Sequence, residues 1–520
     1  DLSAWPGGRS ARAALHPRLD KLQPLSCKYL GIGEQDFYAN YNQALENRQL
    51  YEYKKGEREF VYLPEYYIAE SYIADRINVI LEFSAPEDYD YEALIDLEEQ
   101  EKQIKYESLQ RKAITTALSR GLMVLTGGPG TGKTTTLNAI ISLYEKQGKK
   151  VLIAAPTGRA AKRISDLTGY EAKTIHRLLE VQFDSNERLT FKHNEKDPLD
   201  CEVLVVDEMS MVDVLLFEHL LRALKLHCRI VLVGDSDQLP SVGAGNLLRD
   251  LIDGGCIPVI ALQEIFRQAQ QSCIVTNAHR IVRGEDPDLM QKQNDFFFLQ
   301  RLNPEPACEL VISLCRDRLP KAYGFDPLND IQVIAPARKG TLGVIALNQA
   351  LQEALNPKKK GMAECKTALY TFRVGDKVMQ TRNNYDILWK KDGEQGTGIF
   401  NGDIGRILEI NRAQMMATID FDGRITPYPL DVLDQLELAY AITVHKSQGS
   451  EFEAVVIPIL GGFEKLYYRN LLYTAVTRAK KLLILVGSRK KIEEMVHNNR
   501  RTNRYSCLRH MLMQHEQGSN

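Results

Sequence analysis

The sequence predicts an α/β protein built on two parallel sheets, and three observations predict it. Short runs that are apolar throughout recur along the chain: LMVL (122–125), VLIAA (151–155), VLVV (203–206), IVLV (230–233), VIA (333–335), VVIPIL (455–460) and LLILV (482–486). Continuous rather than alternating runs suit strands buried on both faces. Helical patterns lie between many of them, and strands alternating with helices make a parallel sheet. The runs also fall into two groups, 122–233 and 333–486, in a chain of 520 residues, too long for one core. Three regions are therefore expected: 1–100, 101–270 and 271–520.

The first 100 residues read as mainly helical with one strand pair, YEYKKGEREFVYL. Within the first α/β region, residues 178–199 (LLEVQFDSNERLTFKHNEKDPL) read as a polar β-hairpin insertion. Within the second, residues 360–432 carry VGDKVMQ, FNGDIGRILEI and ATIDFDGRITPY, with turn signals at Asn401-Gly402 and Asp422-Gly423. Those predict a small β-barrel insertion.

Composition bounds the function classes. Charged residues make up 26% and apolar residues 44%, as in ordinary globular chains. No apolar run approaches the roughly eighteen residues a membrane span needs, so no membrane partner is expected. The nine cysteines form no C-x-x-C pair, which suits a reduced, cytoplasmic protein. Lys plus Arg (66) nearly balance Asp plus Glu (68), so any nucleic-acid binding must come from local arrangement. Locally, EDYDYEALIDLEEQE (87–101) is acidic, and residues 478–509 are rich in Lys and Arg.

The sharpest local signal is GGPGTGKTTT, residues 127–136, which follows LMVL and precedes a helical pattern at Leu137, Ile140, Ile141 and Tyr144. It fits G-x-x-x-x-G-K-[ST] with a strand before and a helix after. Side chains are sparse there because successive backbone N–H groups must turn inward onto a polyphosphate, with the helix N-terminus adding its dipole. Lys133 is placed for the β- and γ-phosphates and Thr134 for Mg²⁺. The run VLVVDE then delivers Asp207 and Glu208 at a strand end, where Asp207 suits Mg²⁺ and Glu208 a general base. Nucleoside triphosphate binding and hydrolysis are the expected chemistry.

Further segments leave strand ends or lie in the second region: APTGRAAKR (155–163), GDSDQLPSVGAG (234–245), TVHKSQGSE (443–451) and LLYTAVTRAKK (471–481). Gln238 is able to sense a γ-phosphate or its water. Arg478, and Arg267 in LQEIFRQ, are candidates to reach the γ-phosphate from across a cleft.

Taken in order, these segments resemble the RecD-like group of superfamily 1 DNA helicases, in its stand-alone, long form. GGPGTGKTTT resembles motif I, APTGRAAKR and TIHRLL motifs Ia and Ib, VVDEMSMVD motif II and GDSDQLPSVGAGNLLRDL motif III. LQEIFRQ resembles motif IV, AYAITVHKSQGSEF motif V and LYTAVTRAKK motif VI. Gln110 in SLQRKAI resembles the adenine-reading glutamine, and GDKVMQTRNNYD with FNGDIG resembles this group's SH3-like insertion. The resemblance implies two RecA-like P-loop motor domains with ATP and Mg²⁺ between them. It implies that Gln110, Gly128, Pro129, Gly130, Thr131, Gly132, Lys133, Thr134 and Thr135 hold the nucleotide. Pro156, Thr157, Arg159, His176, Thr443, His445 and Lys446 would contact DNA, while Gln448 and Gly449 couple the two sites. Hydroxyls, imidazoles and amides on phosphates give the sequence-independent grip a moving motor needs.

The implied activity is 5′-to-3′ translocation on single-stranded DNA and separation of tailed or forked duplex DNA. The implied setting is DNA repair or recombination, as a monomer beside other repair proteins. Residues 178–199 would be the hairpin that splits the duplex. Long members of the group carry extra N-terminal helical domains, whereas about 100 residues precede the motor here. A translocase that strips proteins without efficient unwinding, or a motor subunit of a larger complex, is therefore the alternative. No carboxylate cluster suggests DNA cleavage.

Overall fold

The computed structural model describes residues 18–83, 90–183, 189–290, 295–462, 464–499, 504 and 506–518. The chain opens with helices Leu19–Leu30 and Glu34–Glu46, an antiparallel pair β1 (Tyr51–Lys55) and β2 (Arg58–Tyr62), and helices Pro64–Phe83 and Tyr91–Lys102. The expected strand pair is thus present among helices. The first 17 residues lie outside the described residues.

The first α/β unit uses β3 (Leu122–Gly127), β4 (Val151–Ala155) and β5 (Ala172–Thr174), then, beyond an insertion, β8 (Val203–Val206), β9 (Arg229–Gly234) and β10 (Val259–Leu262). The insertion is the antiparallel pair β6 (Val181–Phe183) and β7 (Leu189–Phe191), with Val181 opposite Phe191. The tip of the predicted hairpin, 184–188, lies outside the described residues. The six sheet strands run parallel in the order β10-β3-β9-β8-β4-β5.

Alternation explains why the sequence runs are apolar throughout. Leu122, Val124, Leu204, Val206, Ile230 and Leu232 face one core with Ile73 and Ile77 of helix Pro64–Phe83. Met123, Leu125, Val203, Val205, Val231 and Val233 face the other core, with Ala113 and Ile114 of helix Ser108–Ser119 and Ile140 of helix Lys133–Lys146. Side chains alternate along a strand, so a sheet covered on both faces needs apolar residues at every position.

The second unit repeats the plan. Its strands are β11 (Phe296–Gln300) and β12 (Ile331–Ala335), and after an insertion β22 (Ala441–Thr443), β23 (Phe452–Ile459) and β24 (Ala479–Gly487). They run parallel in the order β11-β24-β23-β12-β22. The insertion holds the pair β13 (Glu364–Lys366) and β14 (Thr371–Arg373). A seven-stranded antiparallel sheet follows, of β15 (Lys377–Gln380), β16 (Asn384–Lys391), β17 (Glu394–Ile399), β18 (Ile404–Asn411), β19 (Met416–Phe421), β20 (Arg424–Pro429) and β21 (Leu436–Leu438). At the predicted Asp422-Gly423 turn both residues are left-handed, φ 60° and 85°, between the paired Phe421 and Arg424. That is the two-residue geometry an antiparallel hairpin's twist favours.

One part of the chain leaves the half to which its sequence position assigned it. Helix Leu508–Gly518 returns to the first unit, where Leu508, Met511 and Leu512 join the core around Ile73 and Leu251. Ahead of it, Ser506 Oγ and Cys507 N donate to the buried Glu70 carboxylate at 2.8 and 3.0 Å. The expected region 271–520 is therefore split, its last helix packing in the first unit. Among the described residues, no helix is long and apolar enough to cross a membrane.

Candidate functional site

The turn after β3 is built by backbone geometry. Gly130 and Gly132 are left-handed, φ 72° and 82°, and a Cβ on Gly132 would collide with the Phe266 ring. Thr131 Oγ1 donates to the Gly128 carbonyl at 2.9 Å and braces the turn. Gly132 caps helix Lys133–Lys146, so the unpaired N–H groups of the helix start open into the turn. Lys133 Nζ donates to the carbonyls of Gly127 and Gly128 at 2.5 and 2.9 Å. Gln110 is buried against this turn, donating to Thr136 Oγ1 at 3.1 Å and accepting from Glu107 N at 3.0 Å.

One pocket gathers Lys133, Thr134, Asp207, Glu208, Gln238 and Arg478, with Pro129 at its wall. The first five come from the first sheet's loops, and Arg478 comes from the second unit, just before β24. Arg478 is buried, and its guanidinium is held by the carbonyls of Thr474 (3.1 Å) and Ser450 (3.2 Å) and by Thr477 Oγ1 (3.1 Å). Such fixing suits a cation that must meet charge at one point. Glu208 takes a left-handed backbone, φ 53°, a strain of the kind found at functional sites. Burial raises the pKa of Asp207, and the neighbouring Glu208 carboxylate raises it further. Thr134 and Asp207 offer two oxygen ligands, the partial set that Mg²⁺ takes beside phosphates and water. The donor set therefore fits a magnesium nucleotide. Gln238 Oε1 is buried there without a hydrogen-bond partner among the described residues, an acceptor free for a ligand or water.

Arg267 is placed differently. It begins the short helix Arg267–Gln270, exposed, and is not among the residues lining the pocket. Its neighbours Phe266 and Ala269 instead cover Gly132 and Gly130.

The candidate DNA residues occupy three strand ends, after β4 and β5 of the first unit and at β22 of the second. Thr157, next to Pro156, caps helix Gly158–Thr168 by accepting from Ala160 N, and Thr443 caps the turn Val444–Ser447 by accepting from Lys446 N. His176 packs on Phe191 of the hairpin with ring centroids 6.0 Å apart, and burial lowers its pKa. His445 reaches solvent; desolvation by the surrounding chain, then the positive Arg504, lower its pKa too. Two of the group are engaged within the protein. Arg159 donates to Ser450 Oγ at 3.0 Å and lies over the Phe452 ring, and Lys446 pairs with Glu437 at 3.3 Å.

The segments between these residues knit the halves together. Gln448 Nε2 donates to the Leu239 carbonyl at 2.7 Å, and a Cβ on Gly449 would lie 2.9 Å from Thr157 Oγ1. Tyr473 donates to Asp235 (2.6 Å), Asn470 to the Asp237 carbonyl (2.7 Å), and Leu239 N to Thr474 Oγ1 (2.9 Å). The antiparallel insertion also reaches the first unit, through Lys162 paired with Asp422. Sequence reasoning missed Asp235, Tyr473, Arg163 and Glu451 as site residues. Each lies inside or beside a quoted motif, but its partner is far away in the chain.

Comparison with known proteins shows the family. Residues 110–244 match an AAA domain family, residues 347–421 the SH3 domain of ATP-dependent RecD-like DNA helicases, and residues 438–486 a UvrD-like helicase C-terminal domain. An ATP-dependent RecD2 DNA helicase of Deinococcus radiodurans is 38% identical over 367 residues, 71% of this chain and 47% of that protein, so the chain spans under half of that relative's length. A RecBCD enzyme subunit RecD of Mycolicibacterium smegmatis is 32% identical over 420 residues, 74% of this chain and 72% of that protein. A crystal structure of Bacteroides Pif1 bound to ssDNA aligns over 75% of this chain and 94% of that one, with 20% identity and a TM-score of 0.45.

Proposed function

From the premise that the chain belongs to the RecD-like superfamily 1 helicases, we propose that it is an ATP-dependent DNA helicase. The proposal includes 5′-to-3′ movement on single-stranded DNA, opening of tailed or forked duplexes, and a role in DNA repair or recombination. One observation carries it: a phosphate turn and two carboxylates of the first unit share a pocket with a fixed arginine of the second. A nucleotide gripped there touches both units, so hydrolysis changes what holds them together.

The roles follow from chemistry. The amides of Gly128 to Thr134 and the Lys133 ammonium bind the phosphates, with Thr135 behind them at the helix start. Thr134 and Asp207 would hold Mg²⁺, which supplies charge neutralisation at the transferring phosphoryl group. Glu208 accepts a proton from the attacking water, and Gln238 Oε1 orients that water. Arg478 meets the charge that develops at the γ-phosphate, whereas Arg267 lies outside the pocket. Gln110 fixes the turn from below, and to read the base its amide would exchange its bonds to Glu107 and Thr136. Pro156, Thr157, His176, Thr443 and His445 form the DNA track, with Arg159 and Lys446 at its inner edge, and the β6–β7 pair stands beside it at His176. Neutral imidazoles and hydroxyls hold phosphates weakly enough to let go, as stepping requires.

A second reading, a motor subunit of a larger complex, is favoured by the Mycolicibacterium relative, whose name places it in the RecBCD enzyme. Both readings are tested by strand separation with ATP and Mg²⁺ on duplexes bearing a 5′ or a 3′ single-stranded tail, with hydrolysis followed in the same tubes. The helicase reading expects the 5′-tailed duplex alone to open. DNA-stimulated hydrolysis with neither duplex opened supports the subunit or translocase reading, and opening from the 3′ tail refutes the polarity.

A further inference from the structure

Arg163 joins two carboxylates that come from opposite units. Its Nη1 donates to Glu208 Oε1 at 3.0 Å, and its Nη2 to Glu451 Oε1 at 2.5 Å. Arg163 lies in helix Gly158–Thr168 and Glu208 follows β8, both in the first unit, whereas Glu451 immediately precedes β23 of the second. Arg163 Nε is buried with no partner among the described residues, so the two carboxylates set how the guanidinium lies. Glu208 is itself buried. A buried carboxylate holding one oxygen on a shared guanidinium rotates little without disturbing the other end of the bridge.

Glu451 is also well placed to report on the second unit. Within three residues of it, Gln448 binds the Leu239 carbonyl, and Ser450 accepts from Arg478 through its carbonyl and from Arg159 through its hydroxyl. The turn Val444–Ser447, with His445 and Lys446, lies directly upstream on the same stretch of chain. A shift of that turn against the first unit therefore pulls on Glu451 before any more distant group.

We infer that Arg163 and Glu451 are positioning residues that tie the orientation of Glu208 to the seating of segment 448–451. This rests on the reading of Glu208 as the general base. Seating this segment aims the base, and lifting it frees the base, so hydrolysis follows the position of the second unit. Neither residue touches the reacting atoms in this account.

The test is steady-state ATP hydrolysis by the full chain with saturating single-stranded DNA, for wild type, Glu451→Gln, Arg163→Lys and the double variant, with fluorescent ADP affinity measured alongside. Glu451→Gln keeps shape and removes charge. The expected result is a fall in kcat of about tenfold for each single variant, the size of a typical coupling contribution. KM for ATP and ADP affinity stay within about twofold, since only an interaction specific to the transition state is lost. The double variant is no slower than the slower single variant, as for two members of one linkage. Unchanged kcat in both single variants overturns the inference. So does a raised KM with kcat retained, which would make Glu451 a nucleotide contact, and so do multiplicative losses in the double variant. Should Glu451→Gln fail to fold, Glu451→Asp carries the test: it keeps the charge one methylene short, and a full wild-type kcat overturns the inference. The underlying reading fails separately, if wild type shows no DNA-stimulated hydrolysis or if Glu208→Gln turns over at the wild-type rate.

Discussion

The two units share a parallel-sheet plan, and the difference that decides phosphate binding lies at one loop. After β3, the first unit runs through GGPGTGKT into a helix that starts with Lys133 and Thr134. After β12, the second runs through PARKGTLG into a helix that starts with Val344 and Ile345. Both loops contain glycines and basic residues, yet in the second Arg338 is spent on Glu437 at 2.5 Å and Lys339 is exposed. The second unit meets the pocket instead with residues lent across the seam: Glu451, Thr477 and Arg478. A sheet with helices on both faces is thus only scaffold. Which half binds a phosphate is set by a few residues at one strand end, and function appears where the halves meet.

The comparison breaks most visibly at its two cations. Lys133→Ala should abolish ATP hydrolysis while the far-UV circular dichroism stays that of the wild type, since the loop is held by backbone geometry and Thr131. Wild-type turnover in that variant would remove the phosphate turn from the account. A buried contact in either scaffold costs nearly as much, in stability rather than rate. Leu232→Ala in the first sheet and Leu485→Ala in the second each delete a fully buried side chain, at about 2–5 kcal/mol. Equilibrium unfolding of the two variants should show losses of similar size, and a much smaller loss in one would mean that the two cores are not alike.

Smaller effects sharpen the picture. His445→Ala should lower DNA-stimulated hydrolysis by up to about tenfold and spare basal hydrolysis, as loss of one contact in the DNA track would. Equal loss of both would make His445 structural. The smallest effect concerns the helix that returns from the second unit to the first. Burial pushes the Glu70 carboxyl, against which Ser506 and Cys507 dock, up to about 7 from its ordinary 4.5. A carboxyl raised in the folded state binds more protons folded than unfolded through that window. Its contribution is fully present below about 4.5 and is lost as pH rises through about 7. Wild-type Tm should therefore fall by a few degrees more than that of Glu70→Gln between pH 5 and pH 8, read by thermal melts. Parallel pH profiles would show that Glu70 is already charged in the fold.

How much was legible follows from where residues sit. The strands read from apolar runs are interior to the two sheets, where both faces are buried. The four strands not read, Ala172–Thr174, Val259–Leu262, Phe296–Gln300 and Ala441–Thr443, are the four edges of those sheets. Edge strands are short or covered on one side, so their pattern blurs into loop. The phosphate turn and the Asp207-Glu208 pair were legible because their chemistry is contiguous in sequence. Arg163 was not, because its meaning lies in Glu451, far along the chain, and no periodicity encodes that meeting. The return of helix Leu508–Gly518 was hidden for the same reason: Leu508, Met511 and Leu512 mark an apolar face but not the surface it covers.

The central claim is that hydrolysis needs both units at one pocket, and Arg478 tests it most directly. The measurement is ATP turnover by wild type and Arg478→Ala with and without single-stranded DNA, together with nucleotide affinity. The account predicts DNA-stimulated turnover in wild type and a loss of about a thousandfold in kcat in the variant, the scale of an arginine finger, with nucleotide affinity largely kept. Wild-type turnover in Arg478→Ala would contradict it, placing the chemistry within the first unit alone.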